Sequence, residues 1–170
     1  MSSPLSSASP TTPRARWWPW FGGALLATLI LDLVSKQVLF AMAPDTAFPS
    51  WIRLAENRGV AWSLLADHPW VVLGLTLLLI PVLTVVWWTS YRKEGLWSNL
   101  AFGLVLGGAL GNAVDRVGMR LGKVGGVRDF IHVDLGFPPF DPWPTFNIAD
   151  SGICIGFALI LLIPLFTRKA

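Results

Sequence analysis

"TFNIADSGICIGFALILLIPLF", Thr145 to Phe166, decides how this chain is read: a polar head holding Asn147 and Asp150, then an almost unbroken apolar run. A membrane span needs roughly 20 residues, and the run reaches that length once its polar end is counted. The carboxylate at the mouth of such a helix has a local explanation. Asn147 stands where an N-cap belongs and Asp150 follows three residues later, the spacing of a capping box. The positive end of the helix favours the acid as well. A cap explains why Asp150 is tolerated there and leaves room for a second role.

Three more segments of the same kind lie upstream. They run from Trp17 to Phe40, from Val71 to Trp88 with Pro81 inside it, and from Leu96 to Val114. Trp17, Trp18, Trp20, Trp87, Trp88 and Trp97 cluster near segment ends, where interfacial aromatics belong. The "GLVLGG" run of the third segment offers a small-residue face for close helix packing. Composition agrees: 54% of the 170 residues are hydrophobic and 14% charged, against roughly 25% charged in soluble domains. The expected fold is an all-α membrane protein with four transmembrane helices plus a small extracytoplasmic β-rich cradle. "WIRLAENRGVAWSLL" and "VGGVRDFIHVDL", which lie between spans, have the alternating character of short strands.

The Ser- and Pro-rich start, residues 1–16, reads as a disordered cytoplasmic tail. The apolar segment behind it lacks a small-residue cleavage pattern, so it is expected to stay as the first membrane helix. Residues 17–170 then form a single four-helix membrane domain, with extracytoplasmic segments at about 41–69 and 115–145. Four spans place both termini on one side. The basic residues flanking the spans divide evenly between the two sides, so the positive-inside rule does not decide orientation. Termini inside is the expected arrangement because the terminal-side charges flank the spans compactly. The net charge of +3 is dispersed and forms no cationic surface for nucleic acid. A single cysteine, Cys154, excludes an intrachain disulfide and any multi-cysteine metal site.

Ionisable groups occur where lipid makes them costly. Asp32 and Lys36 lie four residues apart in the first span, on one helix face, as a structural polar pair that braces a site between helices. The third span ends in "GALGNAVDR", where Asn112, Asp115 and Arg116 leave the span together. "VRDF" adds Asp129. Asp150 therefore has two acids as possible partners, Asp115 and Asp129, and either can reach the membrane surface. Asp115 adjoins Arg116, which is expected to hold it ionised. No HExxH occurs, and Ser63 and Ser151 have no evident His and acid partners. His132 reads as an ordinary loop residue and Cys154 as packing.

Five motifs in this order, "DLVSK" (32–36), "NRGVAWS" (57–63), "GGALGNAVDR" (107–116), "VRDF" (127–130) and "FNIADS" (146–151), closely resemble the bacterial lipoprotein signal peptidase family, signal peptidase II. The similarity covers nearly the whole chain except the N-terminal tail. It implies an intramembrane aspartic endopeptidase of the bacterial cytoplasmic membrane, with its site near the extracytoplasmic face. Such an enzyme removes the signal peptide of diacylglyceryl-modified prolipoproteins, cutting before the lipid-modified cysteine. By motif, the catalytic acids fall on Asp129 and Asp150. Asn57, Gly59, Asn112, Asp115, Arg116 and Asn147 match positions that line or support the site. The expected partners are diacylglyceryl-prolipoproteins and membrane lipids, with no nucleic acid and no obligate protein partner; no cofactor and no metal are expected. Without the resemblance, intramembrane acids also fit a small transporter or proton relay, or a non-enzymatic assembly protein whose polar groups merely cap helices.

Overall fold

The computed structural model describes residues 16–43, 45–60, 64–137 and 143–167, so nearly all of the tail expected at residues 1–16 lies outside the described residues. The chain runs α1 (Trp18–Met42), β1 (Ile52–Asn57), α2 (Pro69–Val86), α3 (Leu96–Arg120), β2 (Val127–Ile131) and α4 (Ile148–Thr167). The helix of α2 passes through Pro81 and widens at its end into a π-helical turn, Trp87–Tyr91. α1, α2 with that turn, and α3 are each long and apolar enough to cross a membrane. α4 is shorter, 20 residues, or about 30 Å of helix. The third span extends past Val114 to Arg120. Asn112, Asp115 and Arg116 therefore sit on helix rather than at its exit.

Helix packing is inverted relative to a soluble protein. The buried residues of α1 are Thr28, Asp32 and Lys36, one stripe at four-residue spacing, while Leu26, Ile30, Leu31 and Val34 point outward. α2 buries only Val72. α3 is the central helix, burying most of its length against α1 and α4. Apolar side chains gain nothing by leaving lipid for one another, so close backbone approach and polar contacts drive the packing. Two glycines of α3 show how close that approach is. A Cβ on Gly111 would lie 2.5 Å from Asp32 Oδ2, and one on Gly108 would strike the carbonyl oxygen of Ala149 in α4. At the opposite end of the bundle, Trp87 stacks on Phe21 at 3.6 Å and donates to Asn99 Oδ1 at 3.0 Å, tying α1, the π turn and α3 together.

β1 and β2 pair antiparallel, with Ala55 opposite Asp129 and Asn57 opposite Val127. On its other side β2 is held by Phe146, whose carbonyl accepts from Phe130 and Ile131 and whose N–H reaches Ile131 O at 3.0 Å. Phe146 immediately precedes the cap residue of α4. That bridge sets the distance between β2 and the start of α4, and thereby positions the site.

Candidate active site

Asp129, Asp150, Asn112 and Asn147 converge where β2, the start of α4 and the middle of α3 meet. Asn147 caps α4 by the reciprocal arrangement expected from sequence. Its Oδ1 accepts from Asp150 N at 2.9 Å, and Asp150 Oδ2 accepts from Asn147 N at 3.2 Å. The cap fixes which way the Asn147 amide faces. With Oδ1 committed to the helix N–H, Nδ2 donates to Asp129 Oδ1 at 2.6 Å and to Asn112 Oδ1 at 3.1 Å. The Asn112 Nδ2 in turn donates to Asp150 Oδ1 at 2.7 Å. Each aspartate thus receives a side-chain amide donor from a neighbouring element or turn.

The two carboxyls differ in surroundings. Asp129 is only 3% exposed, on a strand outside the helices. Burial and, secondly, the Asp150 carboxylate push its pKa up from 3.8 to about 7, against the opposing hydrogen bond from Asn147, the charge of Lys36 and a hydrogen bond from Asn57. Asp150 is half-buried, accepts at both oxygens and sits in the first turn of α4, where the helix end favours negative charge. A carboxyl that is easily protonated beside one surrounded by donors is the arrangement that lets two acids share one proton.

The other expected residues fall around this pair. Asn57 makes a tight turn at the end of β1, accepting from Gly59 N at 2.9 Å and donating to Val60 O at 3.3 Å. Gly59 presents its carbonyl to Arg116 Nη2 at 3.3 Å. Asp115 and Arg116 are not paired as their adjacency implied. On a helix, neighbours in sequence point about 100° apart. Asp115 instead meets Lys36 at 3.2 Å and Arg128, whose guanidinium and backbone N–H reach it at 2.8 to 3.1 Å. Asp115 is therefore held by two cations from other elements. Arg116 points toward a cavity of about 300 Å³ lined by Arg58, Trp70, Leu73, Met119 and Arg120 among others. Among the described residues its Nε has no hydrogen-bond partner.

The Asp32–Lys36 pair forms as spaced, at 2.7 Å, with both side chains fully buried. It also reaches beyond α1: Asp32 Oδ1 accepts from Ala149 N of α4 at 2.9 Å, and Lys36 donates to Asn112 Oδ1 at 3.1 Å. Two residues escaped the sequence reading. Arg128 was legible as part of the "VRDF" motif but without a role of its own, because its partner Asp115 lies on another element. Ala149, fully buried, carries no chemical signal, because its role is a backbone N–H.

Fold and site together define a multi-pass membrane protein with a carboxyl pair seated at one end of its helix bundle. The sequence profile of the signal peptidase (SPase) II family matches residues 24–166. The lipoprotein signal peptidase of Chlorobaculum tepidum is 39% identical over 160 residues, covering 85% of this chain and 94% of that protein. That of Citrobacter koseri is 36% identical over 178 aligned positions, covering 99% of each. A bacterial membrane enzyme solved by the in meso method at 2.3 Å resolution superposes with a TM-score of 0.72 at 27% identity, covering 94% of this chain and 97% of that one. The chain belongs to the signal peptidase II family and is a membrane-spanning peptidase.

Proposed function

We propose that the chain removes the signal peptide of diacylglyceryl-modified prolipoproteins, cutting before the lipid-modified cysteine, with Asp129 and Asp150 as a catalytic aspartic dyad. The observation that carries this reading is the pair of amides, Asn147 on Asp129 and Asn112 on Asp150, which hold two differently poised carboxyls side by side. Family membership removes the footing of the transporter and assembly alternatives.

In this reading the pair carries one proton, held mainly on Asp129. The ionised Asp150 takes a proton from water as its oxygen attacks the scissile carbonyl carbon. Asp129 gives its proton to the carbonyl oxygen, forming a neutral tetrahedral diol. Collapse returns that proton to Asp129 and breaks the C–N bond, while Asp150 passes its proton to the leaving amine. The products are the signal peptide's carboxyl group and the free amino group of the lipid-bearing cysteine, and the dyad ends as it began. Arg116, which lines the cavity and feels the charges of both Asp150 and Asp129, carries guanidinium donors suited to a substrate carbonyl.

An amphiphilic substrate fits a site of this depth, because its acyl chains stay in the bilayer while the peptide enters the polar end of the bundle. The site would then face the extracytoplasmic side of the bacterial cytoplasmic membrane, with both termini inside. The test is cleavage by purified protein in detergent of one peptide made with and without the diacylglyceryl group, each with added chelator. The expected result is cleavage of the lipidated peptide alone, unaffected by chelator. Equal cleavage of both peptides, or loss of activity that metal restores, would overturn the reading.

A further inference from the structure

Lys36 is a fully buried lysine that contacts neither Asp129 nor Asp150 directly. Its ammonium has three protons to donate and nothing with which to accept. It meets three oxygens: Asp32 Oδ2 at 2.7 Å, Asp115 Oδ2 at 3.2 Å and Asn112 Oδ1 at 3.1 Å. Asp32 alone would balance the charge of Lys36 but leave donors of the buried ammonium unpaired. The third contact has a chemical consequence, because an ammonium tolerates only the oxygen end of an amide. It dictates that Asn112 turns Nδ2 the other way, and there Nδ2 meets Asp150 Oδ1 at 2.7 Å. Asn147 Nδ2 adds a neutral donor to the same Asn112 oxygen, while also serving Asp129.

We propose that Lys36 is a positioning residue for cleavage: its ammonium fixes the Asn112 amide with NH2 toward Asp150, and so keeps the proton of the pair on Asp129. This role rests on the two-aspartate reading above. Without the ammonium, only the neutral Asn147 amide holds Asn112 Oδ1, and Asn112 turns over more readily to present Oδ1 to Asp150. Only a protonated carboxyl can donate to that oxygen. The proton then settles on Asp150, which can no longer accept one from water. The charged and titratable groups facing the pair are Asp32 and Lys36 from α1, Asp115 and Arg116 from α3, Arg128 from β2 beside Asp129 itself, and Asp150 from α4. Of these cations, Lys36 is the one whose charged group bonds to the side chain that donates to the Asp150 carboxylate.

Lys36→Met by itself strands the buried carboxylates of Asp32 and Asp115, so the informative variant is Asp32→Asn/Lys36→Met. It removes one charge of each sign and leaves Asp115 paired with Arg128. The full chain is purified in detergent, its folded fraction is measured by thermal unfolding, and cleavage of a lipidated precursor peptide is followed from pH 5 to 9. The expected result is a kcat per folded enzyme lower by about 100-fold, the scale of a lost acid–base contribution, with KM little changed. The pH above which cleavage fails should also move upward, because the misplaced proton is held more tightly. A kcat equal to the parent's would overturn the role. So would a lowered kcat with an unmoved pH profile, which is what mere loosening of the bundle produces. Asp129→Asn measured in parallel separates the two levels. If it still cleaves, the two-aspartate reading itself fails; if it is dead while the Lys36 variant behaves like the parent, only the positioning role fails.

Discussion

Asp129 concentrates the electrostatics of the site in one carboxyl. Burial and its acidic neighbour raise its pKa from 3.8 to about 7, so the folded protein binds this proton more tightly than the unfolded chain does. The sign follows directly. Stability contributed by this proton is complete below the unfolded value of 3.8 and is lost as pH rises toward about 7. Thermal unfolding in detergent should therefore show a falling midpoint across that window, and Asp129→Asn should flatten the fall. A midpoint rising through the window would contradict the assigned environment. Cleavage should fail on the alkaline side near the same pH, since the pair acts as a unit that needs one proton. Among single residues, the sequence made Asp32 with Lys36 legible through their four-residue spacing, and Asn147 with Asp150 through the capping pattern. Both signals are local. It misassigned the neighbour of Asp115, because the cations that hold Asp115 come from α1 and β2, and no local rule connects them.

At the level of elements, α4 serves the site by its first turn. Asn147 has two tasks there, capping the helix through Oδ1 and donating to Asp129 through Nδ2, and substitutions can separate them. Asn147→Ala should lose the cap, costing about 1 kcal/mol, together with activity. Asn147→Ser keeps a cap acceptor but loses the donor. It should recover most of that stability while kcat stays down by about 100-fold, the usual cost of removing one preorganised donor. Recovery of both together would show that the amide acts only as a cap. The contact of α3 with α4 offers a second check. Gly108→Val places a side chain against the Ala149 carbonyl and should destabilise by about 1–3 kcal/mol, the range for overpacking, as read by unfolding in detergent. The glycine run was legible as a packing face, but which helix each glycine meets was not. That depends on how α3 is rotated between α1 and α4.

Across the whole molecule, four helices return the chain to the side from which it started, and both strands lie at the other end with the carboxyl pair. The hydrophobic pattern made this architecture legible, since spans of the right length leave few alternatives in lipid. The pairing of β1 with β2, about seventy residues apart in sequence, was legible only as two strand-like pieces. The register that sets Asp129 against α4 comes from the Phe146 bridge, and a phenylalanine in a loop announces nothing. Orientation is testable with cysteines placed at Lys93 and at Asp134, both exposed and on opposite ends, in a Cys154→Ala background. A membrane-impermeant maleimide added to intact spheroplasts should label position 134 and spare position 93. The reverse pattern would invert the membrane placement.

The central claim is that cleavage needs both Asp129 and Asp150, and the direct measurement is single-turnover cleavage of a diacylglyceryl precursor peptide by Asp129→Asn, Asp150→Asn and the parent at matched folded concentration. Each variant is predicted to unfold cooperatively like the parent yet cleave at least about 100-fold more slowly. Parent-like cleavage by either folded variant would contradict the dyad.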